Sequence, residues 1–414
     1  MKKSLRLLHT SDWHLGRPLY GRRRYAEFES FLDWLLETIE EQEIDILAIA
    51  GDVFDTTTPS PGAQALYYNF LARAAASKSC RHVVIIAGNH DSPALLKAPG
   101  DLLKALNIHV VGTVSKEAED ELICLKDSDG QVEAIVCAVP YPRDRDIRES
   151  AAGESLADKE NKLVENIRRH YALLAAKAES RLMKLWPMRP PVIALGHLFA
   201  AGGRTVDGDG TRSLYVGSLG QVPADAFPDV FDYVALGHLH QPQLVGANET
   251  RRYCGAPLPM TFAESARAKQ VSVVDFSTDT VKVSAIEIPV FQRLKKLAGD
   301  WAAIKKSVEE LNAEECSVWL EIEYNGDELI PDLREKLAEI ASDKLEILKV
   351  SNSNFYQAAL RGLDAFESLE SLDEREVFLR LLDLRQVPEE QRGELWGAYD
   401  EVLRQLHENE DEER

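Results

Sequence analysis

Short apolar runs of strand length recur along the first 290 residues, and amphipathic stretches with helical spacing lie between them. This alternation is typical of a mixed α/β domain built from layers of strands and helices. The predicted strands lie at residues 5–9, 44–50, 82–87, 131–139, 192–195, 233–236, 271–276 and 281–288. The predicted helices lie at 25–41, 63–76 and 156–186, and Pro187 ends the last of them.

The pattern changes after Pro289, where a second, smaller unit begins. Residues 318–324 and 345–350 predict strands, with a helix over 330–341 between them. Residues 372–407 predict two more helices, and the second carries one apolar stripe. The stripe consists of Leu395, Trp396, Tyr399, Val402, Leu403 and Leu406. We therefore expect three domains, at 1–289, 290–350 and 351–414.

The composition indicates an ordinary globular chain, with 45% hydrophobic and 28% charged residues. No apolar run is long enough to cross a bilayer, and Ser11, Asp12 and His14 interrupt the N-terminal apolar segment before a signal peptide could form. The five cysteines contain no C-x-x-C pair, so zinc and redox motifs are disfavoured. We expect a cytoplasmic protein with reduced thiols.

The net charge of −21 would ordinarily disfavour a nucleic-acid partner, because phosphate binding draws on a surplus of Lys and Arg. The acidity is unevenly distributed, however. Residues 291–414 carry 31 acidic and 16 basic residues, which accounts for most of the negative charge. The first 290 residues therefore permit a DNA-binding surface, although composition alone does not argue for one.

Five short polar motifs each follow an apolar run of strand type. They are Asp12-Trp13-His14, Gly51-Asp52-Val53-Phe54-Asp55, Gly88-Asn89-His90-Asp91, Gly196-His197 and Gly237-His238-Leu239-His240. A single motif of this kind is usually a loop or a surface histidine, but these five contain half of the ten histidines in the chain. Because loops at strand ends can converge on one cleft, the set predicts a shared site.

The residue types in the motifs match divalent metal ions. Carboxylate oxygen, amide oxygen and imidazole nitrogen occur together without cysteine, which disfavours structural zinc. Two ions about 3.5 to 4 Å apart can hold an attacking hydroxide and a phosphate together. One carboxylate must bridge such ions, and we expect Asp52 to do so because it is central in the motif order and small or apolar residues follow it.

The motif order is similar to that of the calcineurin-like metallophosphoesterases. Within that superfamily, the segments LLHTSDWHLGR, AIAGDVFDTTTPS, IIAGNHDSP, YVALGHLH and RYCGAPLPMTF resemble the bacterial SbcD family of DNA nuclease subunits. The resemblance covers the first domain closely and the C-terminal third loosely. It implies a four-layer αββα sandwich with two manganese ions at the strand ends, a small α/β capping domain at 290–350 and C-terminal helices.

The resemblance also implies roles for individual residues. The first metal would be held by Asp12, His14, Asp52 and His240, and the second by Asp52, Asn89, His197 and His238. His90 would protonate the leaving oxygen or stabilise the transition state, with Asp91 fixing its orientation. Some relatives carry a histidine where this chain has Asp55, so a second histidine role is not expected at that position.

The activity implied is that of a metal-dependent nuclease, an ATP-dependent 3′–5′ double-strand exonuclease and single-strand endonuclease. It would open hairpins and process DNA ends in repair, replication and recombination, associated with the nucleoid. The implied partner is an SbcC-like coiled-coil ATPase, bound by the C-terminal helices. A homodimer within a heterotetramer is also implied, through helices at about 63–76 and 93–106.

Arginines beside the motifs provide a candidate phosphate track. They are Arg17, Arg22, Arg23 and Arg24, with Arg143 and Arg145 as weaker candidates. The alternative is a solvated loop that precedes a helix, because arginine runs are common on surfaces.

Three other functions share some of these features. A small-molecule or cyclic-nucleotide phosphodiesterase would have the same metal ligands but would need neither a capping domain nor partner-binding helices. A protein phosphatase usually continues with Asp-Arg-Gly, whereas Asp55 is followed by Thr56 and Thr57. An inactive scaffold is disfavoured because all seven ligand types are present.

Overall fold

A computed structural model describes most of residues 4–352 and isolated positions of the C-terminal segment. Within 4–352 the exceptions are residues 99, 116, 144–155, 201–221, 278–279, 315, 327–329 and 331, and beyond 352 the described residues are 378, 379, 382, 392, 393, 395, 396 and 399. Side chains of residues 156–160 are also not described. None of the helices in these ranges is both long enough and apolar enough to cross a membrane.

The strands are β1 Leu5–Thr10, β2 Ile46–Ala50, β3 His82–Ile86, β4 Ile108–Val111, β5 Leu122–Lys126, β6 Val132–Val139, β7 Val192–His197, β8 Tyr233–Gly237, β9 Gln243–Val245, β10 Asn248–Tyr253, β11 Gln270–Phe276, β12 Val281–Glu287, β13 Arg293–Gly299, β14 Val318–Tyr324 and β15 Leu345–Asn352. The helices are α1 Tyr25–Glu41, α2 Pro61–Ala75, α3 Pro93–Lys97, α4 Gly100–Ala105, α5 Leu156–Leu185, α6 Trp301–Asn312 and α7 Leu333–Ile340. Short 3₁₀ turns lie at Ala118–Glu121, Ala224–Ala226 and Phe262–Ala266.

Two six-stranded sheets form the first compact unit, which comprises residues 1–295 and 316–319. Their strand orders are β12-β11-β1-β2-β3-β4 and β5-β6-β7-β8-β10-β9. Strands β1 to β4 run parallel to one another, as do β6, β7, β8 and β10. Because parallel neighbours end at the same edge of a sheet, the loops that follow β1, β2 and β3 emerge together, and so do those that follow β7 and β8.

The period-two alternation of side chains builds a core between the sheets and another outside each sheet. In β2, Ile46 and Ala48 face the inter-sheet core, which also contains Ile193 and Leu195 of β7. Leu47 belongs instead to the core beneath α1 and α2. On the outer face of the other sheet, β6 and β7 pack against α5. The layers run helix, sheet, sheet, helix, which confirms the predicted four-layer αββα fold.

The second compact unit comprises residues 296–315 and 320–414. Strands β13, β14 and β15 form a three-stranded sheet. The Asp300 carboxylate caps α6 by accepting a hydrogen bond of 2.8 Å from the Ala303 amide. The Asn312 side chain joins the ends of two helices, because it donates to the Ile340 carbonyl and accepts from the Ser342 amide. The predicted boundaries at 290 and 350 remain predictions.

The inter-sheet core determines how closely the two sheets approach, so its loss should destabilise the fold. Leu195 is fully buried there, and Leu195→Ala is expected to lower the free energy of unfolding by about 3 kcal/mol. Leu173→Ala is the matched control, because Leu173 is 48% exposed on α5 and its replacement should cost less than about 0.5 kcal/mol. Urea unfolding followed by intrinsic fluorescence measures both, and equal effects would contradict this account of the core.

Candidate metal centre

The loops that follow β1 and β2 are held together by backbone hydrogen bonds. The Asp12 amide donates to the Gly51 carbonyl and the His14 amide donates to the Asp52 carbonyl, both over 3.0 Å. This ladder continues the parallel pairing of the two strands beyond their ends. These backbone hydrogen bonds alone hold the first two polar motifs against each other.

Left-handed backbone conformations concentrate at the predicted ligands. The φ angles are 53° at Asp12, 48° at His14, 49° at Asp52 and 103° at His238. Such values are uncommon for residues other than glycine, and each costs on the order of 1–3 kcal/mol unless the surroundings enforce it. Four of the seven predicted ligands therefore keep a backbone conformation that the surrounding fold must enforce.

Two glycines allow the loops to approach one another closely. Gly51 has a φ of 89°, and a Cβ there would lie 2.3 Å from Nδ1 of His197. A Cβ at Gly88 would lie 2.1 Å from Oδ1 of Asp52. A side chain at either position would therefore displace a predicted ligand.

A first group of donors consists of Asp12, His14 and His240, each buried, with one ligand atom apiece lying within 4.8 Å of the others. Nε2 of His14 lies 3.2 Å from Nε2 of His240. The Asp12 carboxylate is positioned from behind, because it accepts hydrogen bonds from the Ser11 hydroxyl and from the His238 amide.

A second group consists of Asp52, His197 and His238, again buried and within the same distance of one another. The Asn89 side chain completes it, because its Oδ1 lies 3.1 Å from Nε2 of His197 and 3.1 Å from Nδ1 of His238. The structure thus brings together all seven residues that were predicted as metal ligands.

Asp52 lies between the two groups. Its Oδ2 is 3.3 Å from Nε2 of His197 in the second group and 3.7 Å from Nε2 of His14 in the first. Its Oδ1 accepts a hydrogen bond of 2.9 Å from the His90 amide. One carboxylate therefore faces both groups, which is the position that a bridging ligand needs.

The donor arrangement fits bound cations. Nδ1 of His197 donates to the Ala50 carbonyl over 2.8 Å, so Nε2 carries the lone pair when the ring is neutral. That lone pair faces oxygens of Asp52 and Asn89 at 3.3 and 3.1 Å. In that neutral state three electron-rich atoms converge, and a proton or a metal ion between them is needed to make the arrangement favourable.

The pKa shifts of the buried histidines run in opposite directions, and the ring beside Asp52 gains basicity. Burial, and then the neighbouring His197, lowers the pKa of His238 to about 3, and burial also lowers the pKa of His14. Burial is the largest single influence on His197, but Asp52 and Asp12 outweigh it and raise its pKa to about 9. Positive charge is therefore drawn to the ring beside Asp52, where a cation would lie.

The structure corrects the predicted contact between Asp91 and His90. The Asp91 oxygens accept hydrogen bonds from the backbone amides of Val53, Phe54 and Gly88 over 2.8 to 3.1 Å. Nδ1 of His90 instead donates to the Asp55 carbonyl over 2.7 Å. Within the part of the chain that the structure describes, no hydrogen bond joins the Asp91 carboxylate to the His90 ring. Asp91 therefore fixes the loops after β2 and β3 to each other.

Arg24 was predicted to bind DNA, and the structure corrects this too. Arg24 is only 2% exposed, and its guanidinium group donates to both oxygens of Glu27 and to the Pro259 carbonyl. The other arginines of that run differ, because Arg22 and Arg23 are exposed and Arg17 is partly exposed. Nη1 of Arg17 lies 3.2 Å from Oδ1 of Asp55. Arg143 donates to the Asp91 carbonyl over 3.0 Å, and Arg145 lies outside the described residues.

Glu264 is a residue of this centre that the sequence did not indicate. Its Oε1 lies 3.4 Å from Nδ1 of His240, and its Oε2 accepts a hydrogen bond from the Lys269 ammonium. Glu264 and Lys269 are both buried. A carboxylate behind a ligating histidine orients the ring and raises its basicity. The sequence offered only an acidic residue two positions after RYCGAPLPMTF, which by itself does not point to His240.

Family models match two regions of the chain. The model described as calcineurin-like phosphoesterase matches residues 5–242, which include all of the polar motifs above. A second model, described as type 5 capsule protein repressor C-terminal domain, matches residues 290–387.

Bacterial relatives match nearly the whole chain or about two thirds of it. The SbcD subunit of the nuclease SbcCD from Escherichia coli K12 is 37% identical over 97% of this chain and 98% of its own length. The proteins of the same name from Rhodobacter capsulatus and Bacillus subtilis are each 36% identical. Each covers 66% of this chain, and the match spans 67% of the first and 66% of the second.

If Glu264 orients His240, removing its charge should weaken metal binding. Glu264→Gln is expected to lower the affinity for Mn²⁺ about ten-fold, because the ring loses its anionic partner while the side-chain shape is kept. Equilibrium dialysis against Mn²⁺ measures this, with the exposed Glu249→Gln as the matched control. An affinity equal to that of the control would contradict the role given to Glu264.

Proposed function

Since the chain belongs to the SbcD family of calcineurin-like phosphoesterases, we propose that it is a metal-dependent DNA nuclease subunit. The observation that carries the proposal is the position of Asp52, whose Oδ2 faces both groups of buried donors at 3.3 and 3.7 Å. A paired-metal centre is the arrangement that hydrolyses phosphodiesters by activating water and holding the phosphate at once.

The proposed ligands are divided between the two ions as the family resemblance implies. Asp12, His14, Asp52 and His240 would hold one ion, and Asp52, Asn89, His197 and His238 the other. When bound, two divalent ions would acidify a water molecule and neutralise the charge that develops on the phosphoryl oxygens. Mixed oxygen and imidazole donors without thiolate suit manganese, which we propose as the metal.

His90 is proposed as the proton donor to the leaving oxygen. Its Nδ1–H is committed to the Asp55 carbonyl, so Nε2 is the nitrogen that exchanges a proton with substrate. The ring is packed at right angles to His14, with 4.8 Å between ring centroids. This contact and the hydrogen bond to Asp55 hold His90 beside the first group of donors.

The finer activity that we propose is that of the SbcD family. The chain would act with an SbcC-like ATPase as an ATP-dependent 3′–5′ double-strand exonuclease and a single-strand endonuclease. It would open hairpins and process DNA ends during repair, replication and recombination. The relatives are named as one part of a nuclease called SbcCD, which supports a second protein as the partner.

Exposed leucines support the proposed assembly. In the C-terminal segment Leu379 is 47% and Leu395 42% exposed, while Phe378 stacks on Tyr399 with ring centroids 3.9 Å apart. The aromatic rings therefore pack within the chain. We assign the two exposed leucines to the interface with the ATPase. Val402, Leu403 and Leu406 of the predicted stripe lie outside the described residues. In the first unit, Leu102 of α4 is 64% exposed, which supports the proposed homodimer.

The proposed function is tested by a manganese-dependent cleavage assay on hairpin, duplex and single-stranded DNA, with and without the ATPase and ATP. We expect metal-dependent cutting of single strands by the chain alone, and ATP-dependent cutting of duplex ends in the complex. Cleavage of a chromogenic diester while all three DNA substrates remain intact would contradict the proposal. That result would favour a small-molecule or cyclic-nucleotide phosphodiesterase.

His90→Gln should separate metal binding from catalysis. Glutamine keeps a side chain of similar reach but cannot transfer a proton at neutral pH, so cleavage should fall about 10²-fold or more. Mn²⁺ content should stay unchanged, because the His90 side chain is not among the proposed ligands. Anomalous scattering and a single-strand cleavage assay measure the two properties, and a normal rate would refute the acid role.

Leu379 and Leu395 should matter for the partner and not for the chemistry. The double variant Leu379→Glu, Leu395→Glu is expected to lose co-purification with the ATPase, because two charges would be buried at the interface. Manganese-dependent cleavage of single strands should be unchanged. Leu173→Glu, which alters an equally exposed leucine on α5, is the control. Retained binding by the double variant would place the interface elsewhere.

A further inference from the structure

A tight hairpin lies between the first polar motif and α1, and residues 17–23 are named the basic hairpin here. Leu19 and Arg22 pair across it, and each backbone amide donates to the other's carbonyl over 2.9 Å. Tyr20 and Gly21 occupy the two central positions with φ angles of 47° and 84°. A two-residue turn of this kind needs left-handed backbone at both positions, which favours Asn, Asp or Gly. A tyrosine at the first position is therefore kept at a conformational cost.

The Tyr20 ring is both exposed and supported from below. Tyr20 is 46% exposed, whereas Phe262 beneath it is 2% exposed. The two rings stack with centroids 5.7 Å apart and planes inclined by 26°. Burial of Phe262 in the domain makes it a rigid base, so the exposed part of the Tyr20 ring is presented in a fixed orientation.

The basic hairpin and the turn that carries Phe262 each contain a residue connected to the metal centre. Arg17 lies 3.2 Å from Asp55, whose Oδ1 is 3.4 Å from Nδ1 of His14. Phe262 begins the 3₁₀ turn Phe262–Ala266, which carries Glu264, and Glu264 lies 3.4 Å from His240. The basic hairpin and the turn that supports Tyr20 are thus each connected, through Asp55 and Glu264, to a predicted metal ligand.

The basic hairpin also carries exposed arginines close to the Tyr20 ring in sequence. Arg22 and Arg23 follow Gly21 on the second arm of the hairpin and are exposed, and Arg17 is partly exposed. Arginines beside an exposed aromatic ring are the combination that binds single-stranded nucleic acid, because cations hold phosphates while the ring stacks on a base. Bases within an intact duplex are already stacked on each other and do not offer a face to such a ring.

We propose that Tyr20 stacks on an unpaired base next to the scissile phosphodiester, and that Arg22 and Arg23 hold the neighbouring phosphates. This inference rests on the proposed nuclease function and narrows its substrate. The favoured DNA is a strand with unpaired bases near the cut, as in a hairpin loop or a frayed end. Tyr20 is accordingly a specificity-determining residue that takes no part in the chemical step.

Two variants of the full chain test the stacking role. Tyr20→Asn removes the ring but tolerates left-handed backbone, and Tyr20→Phe keeps the ring. Binding of single-stranded DNA that contains 2-aminopurine is followed by quenching of the base fluorescence. Cleavage with Mn²⁺ is followed as KM and kcat, and hydrolysis of bis(p-nitrophenyl) phosphate reports on the metal centre without a nucleobase. Thermal unfolding checks that both variants are folded.

For Tyr20→Asn we expect KM for single strands to rise about ten-fold, the size of one lost base–aromatic stack, with kcat and diester hydrolysis unchanged. Quenching should also be lost. Tyr20→Phe should match the wild type. If Tyr20→Asn binds, quenches and cuts single strands as the wild type does, the stacking role is overturned while the nuclease function stands. If the wild type quenches 2-aminopurine in a Tyr20-dependent way without cutting, the nuclease function fails while the stacking role stands. If the wild type neither binds nor cuts, both fail.

Discussion

The arrangement of this domain depends on a buried carboxylate at Asp52 that needs positive charge on two sides. Removing a carboxylate from water is costly unless ions or hydrogen bonds replace the lost hydration. Asp52 is 2% exposed, and histidines of two different sheets face one of its oxygens. The left-handed φ at Asp52 and the missing Cβ at Gly88 are the local conditions that let this carboxylate lie between the two groups. Cations at the site would offset the cost of burial and strain together.

Convergence of the loops depends in turn on how the two sheets pack. His14 and Asp52 follow strands of one sheet, whereas His197 and His238 end or follow strands of the other. The sheets approach through small and aliphatic side chains of the inter-sheet core, so their carboxyl edges lie close enough for loops to share donors. One contact from sheet to sheet is the hydrogen bond that Nδ1 of the His197 side chain donates to the Ala50 carbonyl, which fixes the ring's tautomer. The His197 ring that joins the two sheets through Nδ1 therefore also presents Nε2 to Asp52.

Sequence patterns predicted the interior of the fold better than its edges. Central strands such as β2 and β7 are continuous apolar runs because both of their faces are buried, and they were predicted within two residues of their observed ends. Strand β5 was missed because it is short and partly exposed, and β10 because polar residues make up most of it. The residues predicted as ligands could be selected from the sequence because each ends or follows an apolar strand. The partners of Asp91 were not, because they come from amides of a separate loop that only the folded chain brings close.

Position relative to the start of α1 explains why adjacent arginines differ in their contacts. Arg24 lies three residues before Glu27 at the start of α1, so the helix itself brings the two side chains together and buries the pair. Arg22 and Arg23 precede the helix and stay exposed. The 3₁₀ turn Phe262–Ala266 contacts both the basic hairpin and the metal centre, since Phe262 supports Tyr20 and Glu264 contacts His240. The proposed stacking by Tyr20 and the proposed orientation of His240 therefore depend on the same short turn.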